Sequence, residues 1–123
     1  MLSYLYVFIG GGLGAISRFG IGNLFRKFTI TDFPLGTLLA NVLSCIVMGL
    51  VLYFSVGSKW ISDDLKLFLI VGFCGGFSTF STFSLETLDL FRTGQTLLGI
   101  LNIVLSIVVC TMILYLLMQK KAA

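Results

Sequence analysis

The sequence predicts an all-α membrane protein of four transmembrane helices, the third of them broken. Three observations predict it. Hydrophobic residues make up 58% of the 123 residues and charged ones only 11%, against roughly 25% charged in a soluble domain. Residues 1–17, 33–58, 67–85 and 93–119 contain no Asp, Glu, Lys or Arg, and a membrane helix needs about 20 mainly apolar residues. The links between these runs are short, with one Pro in the chain and no polar linker, so residues 1–123 read as a single four-helix transmembrane domain.

The first helix, about 3–25, reaches spanning length by continuing through Arg18. It lacks the basic leader and small-x-small cleavage site of a signal peptide. The second, about 34–56, is long enough outright. The third, about 65–91, continues past Glu86. Gly72, Gly75 and Gly76 weaken it just ahead of Ser78 and Thr79, whose hydroxyls compete for backbone hydrogen bonds. A break is expected at about 75–79. Non-helical backbone at membrane depth survives only when buried in protein or lining water, and unwound carbonyls commonly hold Na+. The fourth helix spans about 95–118. Cys45, Cys74 and Cys110 fall inside spans and read as small apolar residues.

Four spans place both termini on one side. That side carries Lys59, Lys66, Lys120 and Lys121; the other carries Arg26, Lys27 and Arg92, with Arg18 near its end of the first helix. Orientation follows Lys/Arg asymmetry in short loops, and this balance supplies almost none. Either a weak bias or the lipids still decide the orientation, or the chain inserts both ways and assembles as an antiparallel homodimer. Gly10-x-x-x-Gly14 and Gly72-x-x-x-Gly76 are small-residue pairs that let helices approach closely, and are taken as support for dimerisation.

Polar groups in hydrocarbon are costly unless satisfied, and ionisable ones are functional candidates. Apart from Glu86, those at depth are hydroxyls, amides and the fixed cation of Arg18. Asn41 serves either as interhelical glue or as a pathway donor, and Arg18 either faces a vestibule or snorkels. Asn102 and Ser106 are four apart and share one helix face. Phe77, Phe80 and Phe83 recur every three residues, with Ser78, Ser81 and Ser84 beside them. Such a stripe packs, or it turns positive ring edges toward a small anion that must enter easily and leave easily.

At these residues the chain resembles a known family. "GFCGGFSTFSTFSLE", 72–86, is similar to the third-helix signature of the Fluc (CrcB-type) fluoride channels, and "GGGLGAISRF" at 10–19 and "PLGTLLANVLSC" at 34–45 resemble that family's first two helix motifs. The resemblance covers nearly the whole chain. It implies a dual-topology antiparallel homodimer with two pores, passing fluoride down its gradient out of the cytoplasm. It implies a structural Na+ at the dimer centre, held by the carbonyls of Gly75 and Ser78. Phe80 and Phe83 would be the pore rings, Asn41 the pore amide and Arg18 the vestibule cation. Ser81 and Thr82, continued by Asn102 and Ser106, would form the polar track. Many members carry a Tyr or His in this part of the fourth helix; this chain has neither there.

Membrane lipid is the expected surrounding, the bacterial inner membrane the expected location, and no nucleic-acid partner is expected. A small multidrug-type exporter would need a buried acid in the first helix, and residues 1–25 contain none. A non-transporting subunit of a membrane complex explains the glycine motifs but not the donor stripes. The chain has no His, no deep carboxylate pair and no nucleotide-binding loop, so it is not expected to be an enzyme.

Overall fold

A computed structural model describes residues 1–57 and 59–122. For residues 120–122 it describes the helical backbone alone, so the side chains of Lys120 and Lys121, counted in the charge balance, lie outside the described residues. The described elements are helical: α1 (Leu2–Phe28), α2 (Leu35–Ser55), α3 (made of Asp63–Lys66, Leu67–Cys74 and Gly75–Phe77), α4 (Ser81–Arg92) and α5 (Thr96–Ala122). Counting α3 and α4 as one span, four helices are long and apolar enough to cross a membrane.

The ends follow from local chemistry. α1 runs on to Phe28 because Arg26 and Lys27 occupy its last turn, where the helix dipole favours cations. Thr29 then folds back on the Phe25 carbonyl through its N–H, at 2.9 Å, and its hydroxyl. α3 opens with Ser62, whose Oγ accepts the Leu65 N–H at 3.2 Å, and with Asp63 and Asp64 in the first turn. Ser at the cap and acids behind it are the favoured start of a helix. The turns then widen into a π-helix over Leu67–Cys74 before one α-turn at Gly75–Phe77. Ser78 is extended (φ −82°, ψ 158°) and the helix resumes at Ser81. Past α4 the chain reverses at Gly94, whose φ of 81° lies in the region that favours glycine.

α1 packs along α3, and α2 along α5. The α1–α3 contact is backbone on backbone. Gly72 stands so close to α1 that a Cβ there would lie 3.0 Å from the Cα of Gly10. A Cβ on Gly10 would land on the Phe68 carbonyl, on Gly14 on that of Phe73, and on Gly76 on that of Gly11. The two small-residue motifs are therefore each other's partners within one chain. This corrects their expected use as dimer contacts: close approach is their role, but the surface they meet is internal.

The interior is small. Ala40, Cys74, Phe77 and Leu90 are buried, while Phe8, Ile16 and Phe19 on α1 and Ile107, Val108 and Leu116 on α5 point outward. An apolar exterior on every span is the arrangement of a multi-pass protein whose solvent is lipid. Phe77 packs its ring on Phe73, with centroids 5.2 Å apart.

Candidate functional site

The site is built around the interruption between α3 and α4. In a continuous helix the N–H of Thr79 would bond the Gly75 carbonyl and that of Thr82 the Ser78 carbonyl. Here both N–H groups go to side chains. Thr79 N–H donates to Asn41 Oδ1 at 2.8 Å, and Thr82 N–H to Thr79 Oγ1 at 3.2 Å. The carbonyls of Gly75 and Ser78 thus lose their helical donors. Gly75 is exposed, and a Cβ there would meet nothing within 4 Å. Two neutral carbonyl oxygens without helical donors suit a hard monovalent cation. Among the described residues no cluster of three or more Cys, Asp or Glu competes for a metal.

The neighbouring backbone groups are held from α1 and α2. Asn41 grips Thr79 at two points, since its Nδ2 also donates to the Thr79 carbonyl at 3.3 Å. Arg18 Nε donates to the Gly76 carbonyl at 3.2 Å. Ser44 Oγ donates to the Cys74 carbonyl at 3.1 Å, which also accepts Ser78 N–H at 3.0 Å and Ser78 Oγ at 2.7 Å. An unpaired backbone group in hydrocarbon costs several kcal/mol, so these side chains are what make the interruption tolerable.

Two cavities flank it. A mid-span cavity of about 260 Å³ is lined by Asn41, Cys45, Ser78, Thr79, Phe80, Phe83, Ser106, Ile107 and Cys110. Asn41, Phe80, Phe83 and Ser106, drawn from three spans, come together here. The rings of Phe80 and Phe83 lie 5.8 Å apart at 41°, and Phe80 remains 80% exposed. A mouth cavity of about 370 Å³ opens where α1 ends and α2 begins. Arg18, Thr37, Thr82 and Glu86 line it, with the connecting loop. Thr37 Oγ1 donates to Glu86 Oε1, which gives that acid a fixed partner.

Four expected site residues stand apart from the mid-span group. Thr82 and Arg18 belong to the mouth cavity. Ser81 is exposed and lies 3.4 Å from Thr79 Oγ1. Asn102 is only 1% exposed. Its Nδ2 donates to Thr87 Oγ1 at 2.9 Å, and its Oδ1 accepts Ser106 Oγ at 3.4 Å. It supports Ser106 from behind and does not line the cavity. Thr87, its partner, carries no signal in the sequence beyond a hydroxyl near the end of a span.

Comparison with known proteins agrees with the motif. A family model described as CrcB-like protein, Camphor Resistance (CrcB), matches residues 5–118. Relatives named fluoride-specific ion channel FluC include one from Clostridium perfringens, 42% identical over 122 residues, covering 99% of this chain and 94% of its own. One from Pyrococcus abyssi is 43% identical over 117 residues, covering 91% and 89%. One from Dehalococcoides mccartyi is 46% identical over 98 residues, covering 80% and 75%. With the family model and these relatives agreeing over most of its length, the chain belongs to the CrcB family.

Proposed function

We propose that the chain is a fluoride-selective channel that passively exports cytoplasmic fluoride across the bacterial inner membrane, as an antiparallel dual-topology homodimer with two pores. The observation that carries this reading is the mid-span cavity: amide, hydroxyl and phenyl groups from three spans, with no acid and no cation among them. The names of the relatives supply the ion.

The chemistry fits a small, strongly hydrated anion. Asn41 has two Nδ2 hydrogens and commits one to the Thr79 carbonyl, which leaves one for an ion. The Ser106 hydroxyl can rotate away from its long 3.4 Å bond to Asn102 and donate instead. Phe80 and Phe83 offer positive ring edges without a titratable group. In the mouth cavity Arg18 and Arg26 stand with Asp32 and Glu86, and an anion would be received at Arg18 and the hydroxyl of Thr82. Donors of this kind replace hydration stepwise, and none holds the ion so tightly that it cannot leave. Ser81 and the exposed ring of Phe80 would be covered by the second copy.

The broken third span also holds the dimer. Gly75 and Ser78 of each copy would offer their freed carbonyls to one Na+ at the two-fold centre. Na+ held there would supply a fixed positive charge to carbonyl oxygens of both chains.

Purified protein in liposomes loaded with fluoride and chloride tests the proposal. Fluoride should escape, as read by an ion-selective electrode, while chloride stays inside. Equal loss of both anions would refute the selectivity.

A further inference from the structure

Two thiols in the mid-span cavity have no part in the scheme above. Cys45 of α2 and Cys110 of α5 both line it, beside Asn41, Phe83 and Ser106. Both are free and half-buried, and they face one cavity of about 260 Å³ from two different helices. The helices that carry them pack along one another, so the two sulfurs are positioned by rigid elements. The third cysteine is different. Cys74 is buried, and its Sγ donates to the Ser44 carbonyl at 3.5 Å.

We propose that Cys45 and Cys110 form a two-sulfur site for a soft, linearly coordinated metal ion of the Hg(II), Ag(I) and Cu(I) class, and that an ion bound there blocks the cavity to anions. The second half of this proposal rests on the channel reading; the first does not. Sulfur ligands select soft ions, whereas Na+ and Mg2+ prefer oxygen, so the site is chemically separate from the carbonyls of Gly75 and Ser78. With Hg(II) the step balances simply. With mercuric chloride, both S–H and both Hg–Cl bonds break, two S–Hg bonds form, two protons and two chloride ions leave, and no electron is transferred. Disulfide formation fits the place less well. It is a two-electron oxidation, and no oxidant is supplied here, whereas metal binding transfers no electron. A metal ion at the pair removes space from a cavity of about 260 Å³ and ties α2 to α5 beside the Phe80 and Phe83 rings.

The test uses mercuric chloride on the full-length protein in the Cys74→Ala background, with two readouts. Ultraviolet thiolate-to-metal absorption should saturate at one ion per chain, and Cys45→Ser or Cys110→Ser should each abolish the saturating two-sulfur band. In liposomes the same dose should lower fluoride efflux roughly tenfold relative to each protein's own untreated rate, reversed by excess dithiol and absent in either serine variant. A band that survives either serine substitution would overturn the site. Undiminished efflux with the metal bound would overturn the block. If untreated protein passes no fluoride, the channel reading fails, and the absorption band alone decides the site.

Discussion

Arg18 combines a charge with a shape. Its Nε holds the Gly76 carbonyl while its side chain lines the mouth cavity. Any cation supplies the first property, but only a planar guanidinium combines it with a fixed donor fork. Two substitutions separate them. Arg18→Lys keeps the charge and loses the fork, and should lower fluoride efflux roughly tenfold while leaving its salt dependence in place. Arg18→Gln keeps an amide donor and loses the charge, and should flatten the dependence of efflux on ionic strength between low and high salt. Identical behaviour of the two variants would remove the distinction. The sequence makes Arg18 and Asn41 visible as polar groups at membrane depth. It does not make their partners visible, because the register of α3 against α1 and α2 is set by packing between spans that are far apart in the chain. Asn102 shows the same limit. Spacing places it on one face with Ser106, and the pair is indeed bonded, but spacing within one helix says nothing of Thr87 arriving from another.

Among the elements, the α1–α3 pair is the tightest contact and the most sensitive to added volume. Gly14→Ala would drive a methyl group into the Phe73 carbonyl and should destabilise the fold by about 1–3 kcal/mol, the usual range for overpacking. Gly12, two residues away, has nothing within 4 Å of the position its Cβ would take, and Gly12→Ala should be neutral or slightly stabilising. Unfolding in mixed detergent micelles would measure both; equal loss in the two variants would discount the backbone contact. The four-residue spacing of these glycines is plain in the sequence, and so is the helical character of each span. What the spacing omits is the partner, which is why the motifs invite a dimer reading. The π-helical stretch Leu67–Cys74 is equally silent. Its apolar residues would suit an ordinary α-helix, and the wider turns depend on the docked neighbours.

For the whole molecule, the near-even division of Lys and Arg between the two sides is the property on which dual topology turns. A C-terminal reporter active on one side of the membrane only should give signal in both cytoplasmic and external formats; signal on one side alone would end the antiparallel reading. Exchange of Na+ for a bulky organic cation should lower the dimer fraction in a crosslinking or light-scattering measurement, and an unchanged fraction would argue against a central cation. The hold of Arg18, Asn41 and Ser44 on residues 74–79 has a consequence for biogenesis. The third span satisfies its own interruption only in part, through Ser78 and Thr79; the Thr79 N–H and the Gly76 and Thr79 carbonyls take their partners from the first two spans. Docking against α1 and α2 therefore stabilises the interruption, and a third span in lipid without them would favour an unbroken helix. A chain that loses either early span loses part of what holds residues 74–79 in their interrupted form.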